Sequence, residues 1–192
     1  MQFPTRIVAA AFPGGLGLLA LGWCAVAAPA LATSTIGFEA DALPFATGGY
    51  YASAWYGDSP WRYRAVIART YPPDFIVGSG FSHLRLDATA LIVDRFIGAQ
   101  AHALAGPWIG AGVERWDGRI QEQGTGASAT FWESVATAGG GYVWKFSGNW
   151  YLNPWAALHV LLNGDRSVPV GTRVYRPPLV TPEASLKLGW HF

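Results

Sequence analysis

The stretch PEASLKLGWHF, Pro182 to Phe192, separates into two sets of alternate residues. Ala184, Leu186, Leu188, Trp190 and Phe192 are all apolar. Glu183, Ser185, Lys187, Gly189 and His191 are polar or small. Successive side chains of a strand point to opposite faces, so a period of two marks a strand with different surroundings on its two sides. In a water-soluble sheet, Phe192 would have to be tucked into a core. In a sheet embedded in lipid, the apolar set faces outward and an aromatic at the strand end sits at the lipid–water boundary.

The other end of the chain bears on this choice. Arg6 is followed by an uncharged stretch from Ile7 to Ala27, and Ala30-Leu31-Ala32 is a small-x-small pattern. This order of basic, apolar and small residues predicts a secretory signal peptide over 1–32, cut before Thr33. Pro13-Gly14-Gly15 interrupts the apolar run and argues against a retained anchor helix. Cys24 follows Trp23, which is too bulky for a lipoprotein cleavage site. The mature chain would then be exported without cysteine, and so without a disulfide.

Loss of Arg6 leaves twelve basic and twelve acidic residues, a balance that points away from nucleic acid. Aromatic residues make up 15% of the chain and charged residues only 13%. Beyond residue 32 no apolar run is long enough to cross a membrane as a helix, because the apolar residues sit at alternate positions.

Eight alternating segments are predicted: Thr35–Leu43, Tyr50–Tyr56, Trp61–Thr70, Arg85–Phe96, Trp108–Trp116, Thr130–Phe146, Trp150–Leu162 and Pro182–Phe192. The breaks carry turn chemistry. GDSP and SGN are tight and GAQAHALAG is intermediate, whereas YPPDFIVGSG, DGRIQEQGTG and NGDRSVPVGTRVYRPP are long. Short turns at one end and long loops at the other fit a barrel of the outer membrane, with the long loops outside. Closure also gives every backbone group in lipid a partner.

On these features the chain resembles the small eight-stranded outer-membrane proteins of the OmpA, OmpX and OmpW type. The resemblance covers residues 33–192 and rests on the signal segment, the strand count, the loop asymmetry and the LKLGWHF ending. It implies an all-β, eight-stranded antiparallel up-and-down transmembrane β-barrel in the bacterial outer membrane. It further implies contact with outer-membrane lipids and lipopolysaccharide, and delivery by the barrel-assembly machinery. Leu188, Trp190 and Phe192 would then be the assembly signal. A monomer is expected.

Phasing the other strands by the last one sets Glu39, Asp41, Arg62, Arg64, Glu114, Glu133, Lys145, His159, Glu183 and Lys187 inside. The fourth strand does not keep phase, since Asp87 and Asp94 fall on opposite faces; one of them should lie beyond the hydrocarbon. Because an eight-stranded barrel is filled by its side chains, the two signs of charge should pair into a plug. On that reading Glu133 has a cationic partner. Pro154 interrupts a closed ladder and predicts a local bulge, or failing that an opening beside the seventh strand.

Catalytic signals are weak. Ser82 and His83, with Asp87 nearby, are the one Ser/His/acid cluster in a long outside loop. Adjacent residues of an extended chain point opposite ways, so they could not meet without a turn. The glycine-rich runs lack a P-loop lysine, and His83, His102, His159 and His191 lack zinc-like spacing. No cofactor or metal is expected. The functional expectation is a structural or surface-interaction barrel with a filled, charged interior. The alternatives are an enzyme acting on lipid A (deacylase or acyltransferase), a passage for small apolar molecules, and a soluble lipocalin-like carrier.

Overall fold

The structure, a computed structural model, describes residues 34–192. The segment expected to be a signal peptide lies outside the described residues. In chain order the strands are β1 Ser34–Asp41, β2 Tyr50–Asp58, β3 Trp61–Thr70, β4 Phe81–Phe96, β5 Gly106–Glu122, β6 Ser128–Ser147, β7 Trp150–Gly164, β8 Val168–Val170, β9 Arg173–Tyr175 and β10 Val180–His191. Short helices α1 (Ala42–Ala46) and α2 (Asp74–Val77) follow β1 and β3, and a 3-10 turn spans Ala101–Ala103.

Eight antiparallel strands close into one ring in the order β1-β10-β7-β6-β5-β4-β3-β2, and β8 and β9 form a separate hairpin. The ring is staggered. Trp190 pairs with Phe38, and the trail runs through Ala54, Ala65, Leu91, Val113, Ala136 and Val160 back to β10 at Val180, ten residues up the strand. Closing a sheet requires such a shear, and eight strands leave a bore only as wide as the side chains that fill it.

The outward faces are apolar. Phe38, Tyr63, Ile67, Leu91, Val113, Leu158 and Leu188 are all exposed. An aromatic band runs around the rim that holds Ser34 and Phe192. Trp150 meets Trp190 edge-on at 5.0 Å, and Phe192 lies 6.1 Å from Phe38 and 6.2 Å from Trp190. Phe192 is 65% exposed and its amide donates to Ile36 O at 2.9 Å. The last residue thus sits on the outer surface in an aromatic cluster, as a lipid–water boundary favours.

The wall is uneven. β4 to β7 have 15 to 20 residues, whereas β1 to β3 have 8 to 10. Three expectations are corrected here. First, β1 ends at Asp41 rather than Leu43, because Asp41 Oδ1 accepts from Leu43 N at 3.1 Å and caps α1. Second, β5 runs to Glu122, so the expected long loop after it shrinks to a tight turn. Its alternation continues, but the outward set changes from Ile109, Ala111 and Val113 to Arg115, Asp117 and Arg119 as it leaves the apolar belt. Third, Pro154 makes no bulge. The β6–β7 ladder skips the pairs opposite Asn153 and Pro154 without changing register, while the β7–β10 ladder is continuous.

β4 keeps phase over most of its length. Asp94 faces in, and Asp87 faces out at the level of Arg69 and Asp117, where the outer surface is charged.

Candidate functional site

The interior has three levels. At the short-turn end, the 97–105 loop covers the bore and inserts Leu104 into it. Leu104 packs with Trp55, Phe96, Trp108, Val143 and Tyr151, and Gly57 leaves the room that its side chain needs. Ala103 O accepts from Lys145 Nζ at 2.7 Å, and Ala101 O accepts from Ser59 Oγ at 3.2 Å. Lys145 therefore holds the floor loop and forms no ion pair among the described residues.

The second level is charged and sealed. Arg62 donates to Glu39 Oε1 at 2.9 Å and to Asp94 Oδ2 at 2.8 Å. Arg64 grips both oxygens of Asp94 at 2.7 and 2.9 Å. Tyr151 Oη and Asn153 Nδ2 donate to Glu39 Oε1 at 3.1 and 2.9 Å. Both guanidinium groups lie over Trp108, at 5.2 and 5.3 Å. Two arginines thus face two carboxylates, and the remaining acceptor sites are taken by neutral donors, the condition under which buried charges are tolerated. Asp94 was not among the residues expected inside; the apparent loss of phase in β4 hid it.

The third level is a cavity of about 300 Å³ above this network. One wall is apolar and made of small or medium side chains, Val66, Ala68, Ala88, Ala90 and Ile92. The other carries His159 between two carboxylates. Its Nε2 is 3.0 Å from Glu183 Oε2, and its Nδ1 faces Glu114 Oε1 at 3.3 Å. Trp116 Nε1 donates to Glu114 Oε2 at 2.6 Å. Lys187 lies under the cavity, its ammonium 3.5 Å from the Trp155 ring centre and 4.9 Å from that of Tyr51.

Asp41 does not meet Lys187. It accepts from Trp155 Nε1 at 2.8 Å and also from Ser185 Oγ. Glu133 likewise lacks the cationic partner expected of it. It is buried, and its Oε1 has no hydrogen-bond partner among the described residues. The expectation of a plug along the whole bore is corrected too: pairing fills the lower half only.

A cap closes part of the long-loop end. The β8–β9 hairpin packs Val168, Val170 and Tyr175 on Phe81, Ile120 and Phe131 of the tall wall. Glu122 fastens it by accepting from Thr172 Oγ1 at 2.5 Å, Thr172 N at 3.2 Å and Thr125 Oγ1 at 2.7 Å. These bonds hold its carboxyl below the ordinary carboxylate range.

The Ser/His cluster meets after all. A bulge at Ser82–Arg85, with His83 at φ +53°, turns His83 Nδ1 to within 3.0 Å of Ser82 Oγ. Asp87 takes no part. It faces out and binds Arg69 at 2.5 Å and Arg85 at 3.2 Å. The nearest acid by contact is Asp74, which accepts from the His83 backbone amide at 2.8 Å, not from the ring. No group of three or more His, Cys, Asp or Glu side chains disposed to hold a metal occurs among the described residues.

Two solved structures share this architecture. The N-terminal β-barrel domain of Pseudomonas aeruginosa OprF aligns with a TM-score of 0.53 at 15% identity, over 83% of this chain and 96% of that one. A major outer membrane protein from Thermus thermophilus aligns at 0.52 and 13% identity, over 83% of this chain and all of that one. The chain has the fold of a small outer-membrane β-barrel. No protein-family profile matches the barrel, and no curated protein does. At such low identity the likeness extends to the fold and not to an activity.

Proposed function

We propose that the protein is a bacterial outer-membrane barrel that does not conduct and works through its long-loop end, as a structural and surface-interaction protein. The apolar belt with its aromatic rim supports membrane residence; a soluble carrier would reverse the two faces. With the short turns in the periplasm, as in barrels of this kind, the cap and cavity face outside.

One observation carries the reading: the cavity ends on the network of Arg62, Arg64, Asp94 and Glu39, below which Leu104 and five large aromatic and aliphatic side chains fill the bore. Passage of small molecules along the axis would require that seal to open. Hydrolysis of lipid A is less well supported, because Ser82 and His83 touch but no carboxylate among the described residues orients the imidazole. The test is conductance in planar bilayers, with lipid A mass spectrometry on the same reconstituted sample. No unitary currents and unaltered lipid A are expected. Steady wild-type currents would overturn the closed reading, and lost acyl chains would replace it with the enzymatic one.

Outer-membrane lipids, lipopolysaccharide and the barrel-assembly machinery are the partners this reading entails. Deleting Phe192 should lower the yield of folded barrel in vivo several-fold, as scored by its mobility on unboiled gels. Shortening the 165–179 loop should leave more folded barrel than that deletion does. Equal yields would remove Phe192 from the assembly signal.

A further inference from the structure

Lys187 is an inward-facing group whose chemistry the closed-barrel reading leaves unused. It is 1% exposed, and among the described residues its ammonium has no hydrogen bond and no ion pair. The faces of Trp155 and Tyr51 lie against it, and Glu39 and Asp41 stand near enough to act on its charge without forming an ion pair. The carboxylates on the adjoining strand are already engaged. Asp41, directly opposite in register, holds Trp155, Ser185 and the α1 amide; Glu39, two residues below, holds Arg62, Tyr151 and Asn153. A buried ammonium without a paired anion is costly, and an anion brought beside it lowers that cost.

The space beside Lys187 defines the rest of the ligand. The wall of Val66, Ala68, Ala88 and Ala90 is apolar and lined by small side chains, and the cavity volume of about 300 Å³ is at the lower end of ordinary ligand pockets. That is room for a single acyl chain. The two carboxylates of the far wall are both directed at His159, leaving the Lys187 corner as the place for an anion.

The cavity also reaches the side of the barrel. β1 stops at Asp41, whereas β10 continues to Val180. Even-numbered residues of β10 turn their backbone groups toward β1, as Phe192 N does toward Ile36 O at 2.9 Å. Leu186, Ala184 and Pro182 therefore present theirs to a gap bordered by α1. Pro182 lacks the amide that would be stranded there, the usual place for a strand proline. Leu43, Pro44, Pro182 and Ala184 belong both to this gap and to the cavity lining. A molecule held in the cavity is thus beside the outer half of the lipid belt.

We propose that the cavity is a binding site for a small amphipathic monoanion, a single acyl chain with a carboxylate head, whose head pairs with Lys187 and whose tail lies on the Val66–Ala68–Ala88–Ala90 wall. This does not rest on the closed-barrel reading, since a conducting barrel could carry the same site and a closed one could lack it.

The test uses the full barrel in lipid nanodiscs and decanoate labelled with carbon-13 at the carboxyl. Empty nanodiscs supply the signal of merely dissolved probe. A saturable second carboxyl resonance is expected with wild type. Decylamine, decanol and acetate, which lack the negative head or the tail, should compete at least tenfold less well than unlabelled decanoate. Lys187→Met should abolish the second resonance and Lys187→Arg should retain it. Ala90→Trp, which fills the tail wall and leaves the ammonium in place, should also abolish it. Gel mobility and circular dichroism establish that each variant is folded; should Lys187→Met fail to assemble, Ala90→Trp and the competition series decide. Absence of a saturable signal in wild type, equal binding by the folded variants, or preference for decylamine would each overturn the proposal.

Discussion

The lower and upper halves of the bore are lined by the same strands, yet one is sealed and the other is hollow. Below, the inward positions hold Arg62, Arg64, Trp55, Trp108, Tyr151 and Phe96, which reach across the axis and meet. Above, the same strands offer Ala68, Ala88, Ala90, Thr137, Gly139 and Ala157, which stop short of it. The backbone radius of a closed sheet is set by strand number and shear, so side-chain length decides whether the axis is filled. The contrast also shows how charge is handled. In the lower half each carboxylate is shared among several donors. In the upper half Lys187 and Glu133 remain without a partner of opposite sign among the described residues.

The largest separation between the halves should come from two carboxylate deletions. Asp94→Ala removes the carboxylate that two buried arginines share, leaving Glu39 as their one anion among the described residues, and should cost roughly 3–5 kcal/mol, the usual penalty for breaking a buried pair. Glu133→Ala removes a buried carboxylate that no cation satisfies, and should be neutral or stabilising. Urea unfolding of both variants in lipid vesicles measures the difference. Equal costs would mean that the upper half is as tightly paired as the lower.

A second comparison adds volume instead of removing charge. A Cβ at Gly110 would run into Asp94 Oδ1, so Gly110→Ala should cost about 1–3 kcal/mol by forcing the network apart. Ala90→Leu extends into the cavity and should change stability by no more than about 1 kcal/mol, in either direction. The same unfolding experiment decides. A heavier penalty at Ala90 would show that the upper half is packed.

The smallest expected effect concerns the cap and its acidity. Glu122 has its carboxyl held below the unfolded value, first by Thr172 and then by Thr125. A group depressed in this way stabilises at neutral pH; that contribution is present above the unfolded value, about 4.3, and is lost as pH falls through the lower folded one. Hydrogen exchange of residues 168–175 should therefore quicken relative to that of the lower strands as pH drops below about 4, after correction for intrinsic rates. Glu122→Gln should flatten that dependence. An unchanged profile in the variant would assign the acid sensitivity to another group.

Much of the architecture is legible from alternation alone. A period of two fixes which residues share a face, and Phe38, Arg62, Glu114, Trp155 and Lys187 lie on the faces that their sequence neighbours assign them. Where the outward set changes character, the same reading fails at the boundary. β5 is cut short in sequence because Arg115, Asp117 and Arg119 replace apolar residues, although the strand itself continues. The meeting of Ser82 and His83 is hidden for a related reason: a bulge with positive φ is a backbone event, and neither residue type announces it.

The amino-acid order by itself determined the number of barrel strands, the inward and outward faces and the apolar belt, because these depend on neighbours two residues apart in the chain; the β8–β9 hairpin lies in a segment it assigned to a loop. It did not determine which inward groups meet. Arg62 finds Asp94 thirty-two positions away, and Glu39 finds Asn153 at a distance of 114. Those meetings follow from the ten-residue stagger of the closed ring, which sets the height of each strand against every other. Only at that level does Asp94 become the centre of a network, Glu133 lose its expected partner, and Lys187 lie without an ion pair among the described residues, beside a cavity with one apolar wall.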